Sequence, residues 1–178
     1  MSTDLRWESI TPDDLDPLGE LIRSIEAVDR PRKRQSVAGL GQELSRTGAD
    51  PARDTRLLRD PDGRLVGYAW NFPQHADVSL RRVLLTGGVH PDRRRQGIGH
   101  QLVRWQRDAG REWDAQTRQP GYGPLRHVAR VDNDLTGAQR LLESCGLSAS
   151  RWFAHLPRSS PPARRRRPHR WPGWTSLL

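Results

Sequence analysis

The 178-residue sequence predicts a mixed α/β fold of the α+β class, with a central, mostly antiparallel, twisted sheet of six to seven strands flanked by about four helices. Three observations predict this class. Short alternating apolar runs mark strands, stripes of apolar residues at helical spacing mark helices, and the two patterns are interleaved along the chain. The length fits a single domain with one core.

The chain opens with one strand and two helices. Residues 5–10 alternate between polar and apolar side chains, as a half-buried strand does. A helix begins at Thr11, which suits the N-cap, and Pro12, which suits the first helical position. A weaker helix, loosened by two glycines, is predicted over residues 37–44. The apolar stripe of the first helix comprises Leu15, Leu18, Ile22 and Ile25.

A hairpin and a strand-to-helix passage follow. Strands at 55–59 and 64–72 are joined by a segment containing Pro61 and Gly63, which suit a tight turn. Tryptophans at helix and strand spacing are predicted to lie in the core. They are Trp7, Trp70, Trp105 and Trp113. The later elements are a strand at 82–89, a helix from Gly97 to about Trp113, a strand at 125–131, a helix at 135–145 and a last strand at 150–156.

Charge divides the chain into a predicted domain at 1–157 and a tail at 158–178. The formal net charge is +9, but the tail holds six arginines and no acid, which leaves +3 for the domain. The tail has no apolar period and is predicted to be disordered. No apolar stretch approaches the ~20 residues of a membrane span, and no export signal opens the chain, so we expect a soluble, cytoplasmic protein. The single cysteine, Cys145, excludes a disulfide framework.

The segment from Gly87 to Leu102 carries the chemistry, because it predicts an anion site where a strand passes into a helix. Backbone N–H groups at a helix N-terminus are unpaired and partly positive. Glycines at 97 and 99 would let a phosphate approach without meeting a Cβ, and arginines at 93, 94 and 95 add positive charge. A pyrophosphate is the expected guest. The other phosphate motifs, G-x-x-x-x-G-K-[ST] and G-x-G-x-x-G, fail on spacing.

The same segment resembles the acyl-CoA signature of the GCN5-related N-acetyltransferase (GNAT) superfamily. R-x-x-G-x-G at 94–99 follows V-x-P at 89–91, and an amphipathic helix comes next. A later A-x-x-L-L-E-x-x-G-L runs from Ala138 to Leu147. The order of elements agrees over about residues 3–157, so the resemblance implies a GNAT-like sheet and acetyl-CoA as co-substrate, without a metal.

The resemblance implies an N-acetyltransferase that moves an acetyl group from acetyl-CoA to a primary amine of a small molecule or protein. The amine would attack the thioester directly, after its ammonium form, with a pKa near ~10.4, has lost a proton. Residues 87–89 would pair by backbone with the pantetheine arm, residues 94–100 would hold the pyrophosphate, and Asn133 matches an asparagine after the fifth strand. The implied cofactor-binding residues are Gly87, Gly88, Val89, Arg94, Arg95, Gln96, Gly97, Ile98, Gly99, His100 and Asn133.

The sequence indicates the general acid and the general base of the reaction less clearly than the cofactor site. Leu142 stands where many members carry a tyrosine that protonates the leaving thiolate, and both tyrosines, Tyr68 and Tyr122, lie elsewhere. Either the thiolate leaves unaided, which a thiol pKa near ~8.5 permits, or the site is degenerate. Among the strand histidines His127 and His155, His127 is the catalytic residue we nominate as base, with a water chain as the alternative. No carboxylate lies on the strand at 82–89.

Two other function classes stay open. One is a catalytically weak acyl-CoA-binding domain, which the missing tyrosine favours. The other is nucleic-acid association through the tail, where arginines are interleaved with Trp171 and Trp174. The resemblance stops near Pro157, so the chain could be a shortened relative of tandem-GNAT proteins. The expected partners are acetyl-CoA and an amine acceptor, with no membrane, in a monomer or homodimer.

Overall fold

A computed structural model describes residues 4–32, 34–46, 48–74 and 80–150. In these residues one sheet of five strands is combined with five α-helices and short 3-10 turns at Pro12–Asp14 and Pro91–Arg93. The elements in chain order are β1 (Arg6–Glu8), α1 (Leu15–Asp29), α2 (Val37–Leu44), α3 (Pro51–Asp54), β2 (Thr55–Arg59), β3 (Leu65–Gln74), β4 (Arg81–Val89), α4 (Ile98–Thr117), β5 (Leu125–Ala129) and α5 (Thr136–Ser144).

The strands lie in chain order from β1 to β5. Neighbours are antiparallel up to β4, whereas β4 and β5 are parallel. The last pair is parallel because α4 carries the chain back across the sheet, the crossover that parallel neighbours require. The predicted six to seven mostly antiparallel strands are therefore corrected to five within the described residues. The predicted strand at 150–156, apart from Ser150, and the tail at 158–178 lie outside them.

The sheet has an apolar core on each face. Consecutive residues of β2 point to opposite sides, as alternation along a strand requires. Leu57 packs with α1, α2, Tyr68 and Trp70 on one face, while Leu58 packs with α4 on the other. A third cluster joins Val83, Leu85 and Trp113 near β5.

Most elements match the prediction, and the departures have local causes. The hairpin turn forms, with Asp60 Oδ1 accepting the Arg64 N–H at 2.9 Å. The unpredicted α3 is only four residues long, too short for an apolar period. Trp70 and Trp113 are buried and Trp105 is partly buried, but Trp7 is 37% exposed because β1 is a short edge strand. Within the described residues, none of the helices has the length and hydrophobicity of a membrane span.

Candidate functional site

The parallel strands β4 and β5 diverge before β4 ends. Their pairing runs from Arg81 with Leu125 to Leu85 with Ala129, and from Thr86 to Val89 β4 is paired with β3 but not with β5. The next residue, His90, donates its N–H to the Val66 carbonyl at 2.8 Å, on the β3 side. Since backbone groups alternate in direction along a strand, those of Val89 and Gly87 face the other side, where β5 has ended. They border a slot that we call the β4–β5 slot.

A buried glutamine of α4 holds the backbone at the start of this slot. Gln106 is 3% exposed, and its Nε2 donates to the carbonyls of Thr86 at 2.9 Å and Trp70 at 3.3 Å. Those two residues face each other across β3 and β4. The backbone carbonyl of Gln106 in turn accepts a hydrogen bond from Asn71 Nδ2 at 2.8 Å. Sequence analysis missed Gln106 because helical spacing does not separate a buried glutamine from one at the surface.

The loop between β4 and α4 has the geometry of an anion site. Gly97 is the N-cap of α4 and adopts φ +79°, in the left-handed region that favours glycine. A Cβ built there would meet nothing within 4 Å, so the space in front of the helix is open. The first N–H groups of α4 have no acceptor inside the helix. The predicted residues 96–100 therefore surround backbone N–H groups that the helix itself leaves without an acceptor.

Gly99 has a different role from Gly97. A Cβ on Gly99 would lie 2.8 Å from Leu141 Cδ2, so this glycine lets α4 and α5 pack closely. His100 adds a second link between these helices, with its Nε2 2.9 Å from Ser144 Oγ. We expected both glycines to let a phosphate approach. The open space at Gly97 agrees with that expectation, whereas the absence of a side chain at Gly99 is explained by the packing of α4 against α5.

Two of the three loop arginines are already paired with carboxylates. Arg93 bonds Asp60, and Arg94 bonds both oxygens of Asp29. Arg95 is exposed, adopts φ +63°, and has no carboxylate partner among the described residues. Of the side chains in this arginine run, Arg95 is the one left available to a ligand.

His127 lies away from the slot. It pairs with Val83 on β4, three residues before the slot begins at Thr86, which is about 10 Å along the strand. Its ring faces α4, and a Cβ on Gly110 would be 2.5 Å from its Nε2. That nitrogen is buried without a hydrogen-bond partner among the described residues. Burial lowers the pKa of His127, and the neighbouring Arg107 lowers it further.

Asn133 and Leu142, the two other positions that the family resemblance singled out, lie in and after the loop that follows β5. Asn133 is exposed between β5 and α5, and its backbone carbonyl accepts a hydrogen bond from Gln139 Nε2 at 3.1 Å. Leu142 is partly buried on α5. His155 lies outside the described residues, so the structure places only His127 of the two strand histidines.

One of the two tyrosines, Tyr68, lies close to β4, although the sequence places it on a different strand. Tyr68 faces Gly88 across β3 and β4, and its Cε1 is 3.3 Å from where a Gly88 Cβ would be. Burial raises the pKa of Tyr68 to about 12, with the Glu26 carboxylate adding to the effect. A neutral phenol therefore lies next to β4. Only the strand register could have revealed it, because Tyr68 is 20 residues from Gly88 in the sequence.

Comparison with known proteins gives consistent matches. The model of the acetyltransferase (GNAT) family matches residues 20–147. A mycothiol acetyltransferase of Nocardia farcinica (strain IFM 10152) is 33% identical over 103 residues, which is 56% of this chain and 30% of that protein. The chain thus spans about a third of the length of this curated relative.

Solved structures share the fold. A GCN5-related N-acetyltransferase from Sphaerobacter thermophilus superposes with a TM-score of 0.64 at 23% identity, over 79% of this chain and 42% of that one. AAC(6')-Iy, solved with a bisubstrate analog of CoA and acetylneamine, has a TM-score of 0.59 at 17% identity, over 87% of this chain and 99% of that one. At these identities the likeness establishes the fold alone.

Proposed function

The chain belongs to the acetyltransferase (GNAT) family, and we propose that it transfers an acetyl group from acetyl-CoA to a primary amine. The observation that carries the proposal is the β4–β5 slot, which leads along a single strand into the loop capped by Gly97. A slot bordered by backbone groups that β5 does not pair, followed by the N–H groups at the start of α4, matches a donor with an amide-bearing arm and a pyrophosphate.

The pantetheine arm is proposed to bind along the open side of β4. Gly87 and Val89 direct their backbone groups into the slot, where the amides of the arm can pair with them as an added strand would. Gly88 lies between them and pairs with Tyr68 of β3. This arrangement supports the sequence-based assignment of residues 87–89.

The pyrophosphate is proposed to bind at the first turn of α4. The donors are the N–H groups from Gln96 to His100, and the helix dipole favours an anion there. Arg95 adds a side chain whose charge is free for the ligand. Asn133, on the loop after β5, stays a prediction as the contact from the opposite side of the slot.

The reaction would be a direct acyl transfer. The lone pair of the neutral amine attacks the thioester carbon, the C–S bond breaks, and coenzyme A leaves as a thiolate while the amine loses a proton to a base. A backbone N–H of the slot stabilises the developing oxyanion. For the base, His127 stays a prediction beside a water chain, since its ring faces α4.

The acceptor is proposed to be a small-molecule amine. Proteins similar to this chain include a mycothiol acetyltransferase and aminoglycoside acetyltransferases. A screen should therefore begin with aminoglycosides and the precursor amine of mycothiol, followed by polyamines and peptide amines.

A second candidate function is acyl-CoA binding with little turnover. It is favoured by Leu142 at the position of the family's tyrosine acid and by the distance of His127 from the slot. Nucleic-acid association through residues 158–178 stays a prediction, because those residues lie outside the described part of the chain.

Calorimetry with acetyl-CoA and a thiol-release assay over the amine screen test the proposal together. We expect binding in the micromolar range and amine-dependent release of coenzyme A. Binding without release for any amine would favour the second candidate. Absence of binding by a chain that circular dichroism shows to be folded would exclude both.

A further inference from the structure

The guanidinium of Arg94 uses three of its five N–H groups in hydrogen bonds within the protein. Its two terminal nitrogens donate to Asp29 Oδ1 at 2.7 Å and Oδ2 at 2.9 Å, and its Nε donates to the Val89 carbonyl at 3.2 Å. The first two bonds form the bidentate pair that an arginine and a carboxylate make best. The Arg94 side chain is 34% exposed and that of Asp29 is 21% exposed, so water screens the pair only partly.

These bonds connect three parts of the fold. Asp29 is the last residue of α1, Val89 is the last residue of β4, and Arg94 belongs to the loop before α4. Turning Arg94 towards a phosphate would break all three bonds. It would also leave the Asp29 carboxylate unpaired beside an incoming polyanion, which is electrostatically unfavourable.

The end of α1 is also linked to the far side of the slot. Two residues after Arg30, where the chain turns with φ +47°, the Arg32 N–H donates to Asp132 Oδ2 at 2.9 Å. Asp132 follows β5, whereas Arg94 follows β4. The short turn after α1 therefore runs from the β4 side of the slot to the β5 side, and the Arg94–Asp29 pair fixes one end of it.

We propose that Arg94 is a positioning residue that acts through Asp29 and Val89, and not a phosphate ligand. It fixes the anion loop against α1 and fixes the turn that spans the end of the slot. This inference deepens the proposed function and rests on it. It differs from the expectation that Arg94 is among the residues that hold the pyrophosphate, and it leaves that role to backbone N–H groups and Arg95.

A double-mutant cycle on the full chain separates the two roles. We compare acetyl-CoA dissociation constants for the parent, Arg94→Ala, Asp29→Ala and the double variant. A positioning role predicts that each single change weakens binding about tenfold and that the double variant is no weaker than either, because both remove the same link. A direct phosphate contact predicts that Arg94→Ala weakens binding in both backgrounds, while Asp29→Ala alone leaves binding unchanged or tighter.

Two further measurements exclude a purely structural effect. Arg94→Lys keeps the charge but cannot form the bidentate pair, so it should weaken binding as Arg94→Ala does; full retention by lysine would overturn the proposal. Arg59→Ala is the matched control, because Arg59 makes a partly buried 2.7 Å pair with Asp14 at the β1–β2 end of the sheet. It should lower stability to unfolding and keep the acetyl-CoA dissociation constant.

The turn after α1 gives a kinetic readout. With an active amine, Asp29→Ala should raise the acceptor KM several-fold more than it lowers kcat, because it loosens the turn across the slot without touching the thioester. An equal fall in kcat with unchanged KM would contradict this. If the parent binds acetyl-CoA and the cycle is additive, the positioning role alone fails; if the folded parent does not bind, the proposed function fails with it.

Discussion

Gly99, in the first turn of α4, packs directly against Leu141 of α5. A Cβ on Gly99 would lie 2.8 Å from Leu141 Cδ2, closer than real carbon atoms approach without a shift. The second glycine of the loop motif is thus a contact between two helices, while the first, Gly97, faces open space. The two glycines should therefore respond differently to the same substitution.

Gly99→Ala should destabilise the fold by at most about 1 kcal/mol, because Leu141 Cδ2 is the end of a side chain that can shift and because alanine favours helix formation. Urea denaturation measures the change. The control is Gly137→Ala in α5, where nothing lies within 4 Å of a new Cβ, and it should stabilise the chain by about 0.5–1 kcal/mol. Leu141→Ala should reduce the additional cost of Gly99→Ala. Equal stability of the Gly99→Ala chain and the parent would show that Leu141 or α5 shifts to accept the new methyl group without cost.

Gly97→Ala should weaken acetyl-CoA binding through backbone strain rather than collision. Its φ of +79° costs a residue with a side chain about 1–2 kcal/mol, and relaxing that strain turns the first N–H groups of α4 away from the anion. Gly121→Ala is the matched control, since Gly121 has φ +86°, equally open space and a place in the loop after α4. Both variants should lose similar stability in urea. Calorimetry should detect weaker acetyl-CoA binding only for Gly97→Ala, and an equal effect of both would argue against the loop as the anion site.

The elements that the sequence predicts well are those determined by neighbouring residues. The strand at Thr55–Arg59 has the predicted bounds, and the N-cap glycine of α4 follows from its motif. The sheet was predicted to be mostly antiparallel, which leaves room for the parallel pair of β4 and β5. Which strands are neighbours in the sheet depends on where α4 returns the chain, and strand patterning alone does not determine that.

The paired state of the arginines could not be predicted for the same reason. Arg94 and Asp29 are 65 positions apart, and Arg93 and Asp60 are 33 apart. A run of three arginines in sequence indicates a cationic loop, but folding brings acids to two of them. Contacts at this separation require the tertiary structure, as does the approach of Tyr68 to Gly88.

Gln106→Met should destabilise the fold by about 1–3 kcal/mol, because the carbonyls of Thr86 and Trp70 would lose a buried donor. We expect acetyl-CoA binding to weaken as well, since Thr86 is the first residue of β4 beyond its pairing with β5. Denaturation and calorimetry measure the two effects. Gln116→Met, at an exposed position of the same helix, should stay within about 0.5 kcal/mol of the parent. Normal stability of Gln106→Met would mean that water replaces the glutamine.

His127 should make stability depend on pH. Burial, with Arg107 and Arg111 adding to it, lowers the pKa of His127 below its ordinary 6.5 in the folded chain. Between these two pKa values the unfolded chain binds a proton that the folded chain does not. The contribution of His127 to stability is therefore full above pH 6.5 and is lost as the pH falls through the folded pKa.

His127→Gln should consequently flatten the fall in stability between about pH 7 and pH 5, measured by urea denaturation at several pH values. The same variant tests the predicted base. If His127 accepts the amine proton, the variant loses most of its kcat together with the acidic limb of the kcat profile. If the stability slope flattens while that limb remains, His127 is a buried strand histidine and the amine proton leaves through water. An unchanged stability slope would mean that the pKa of His127 is the same in the folded and the unfolded chain, which would contradict the prediction.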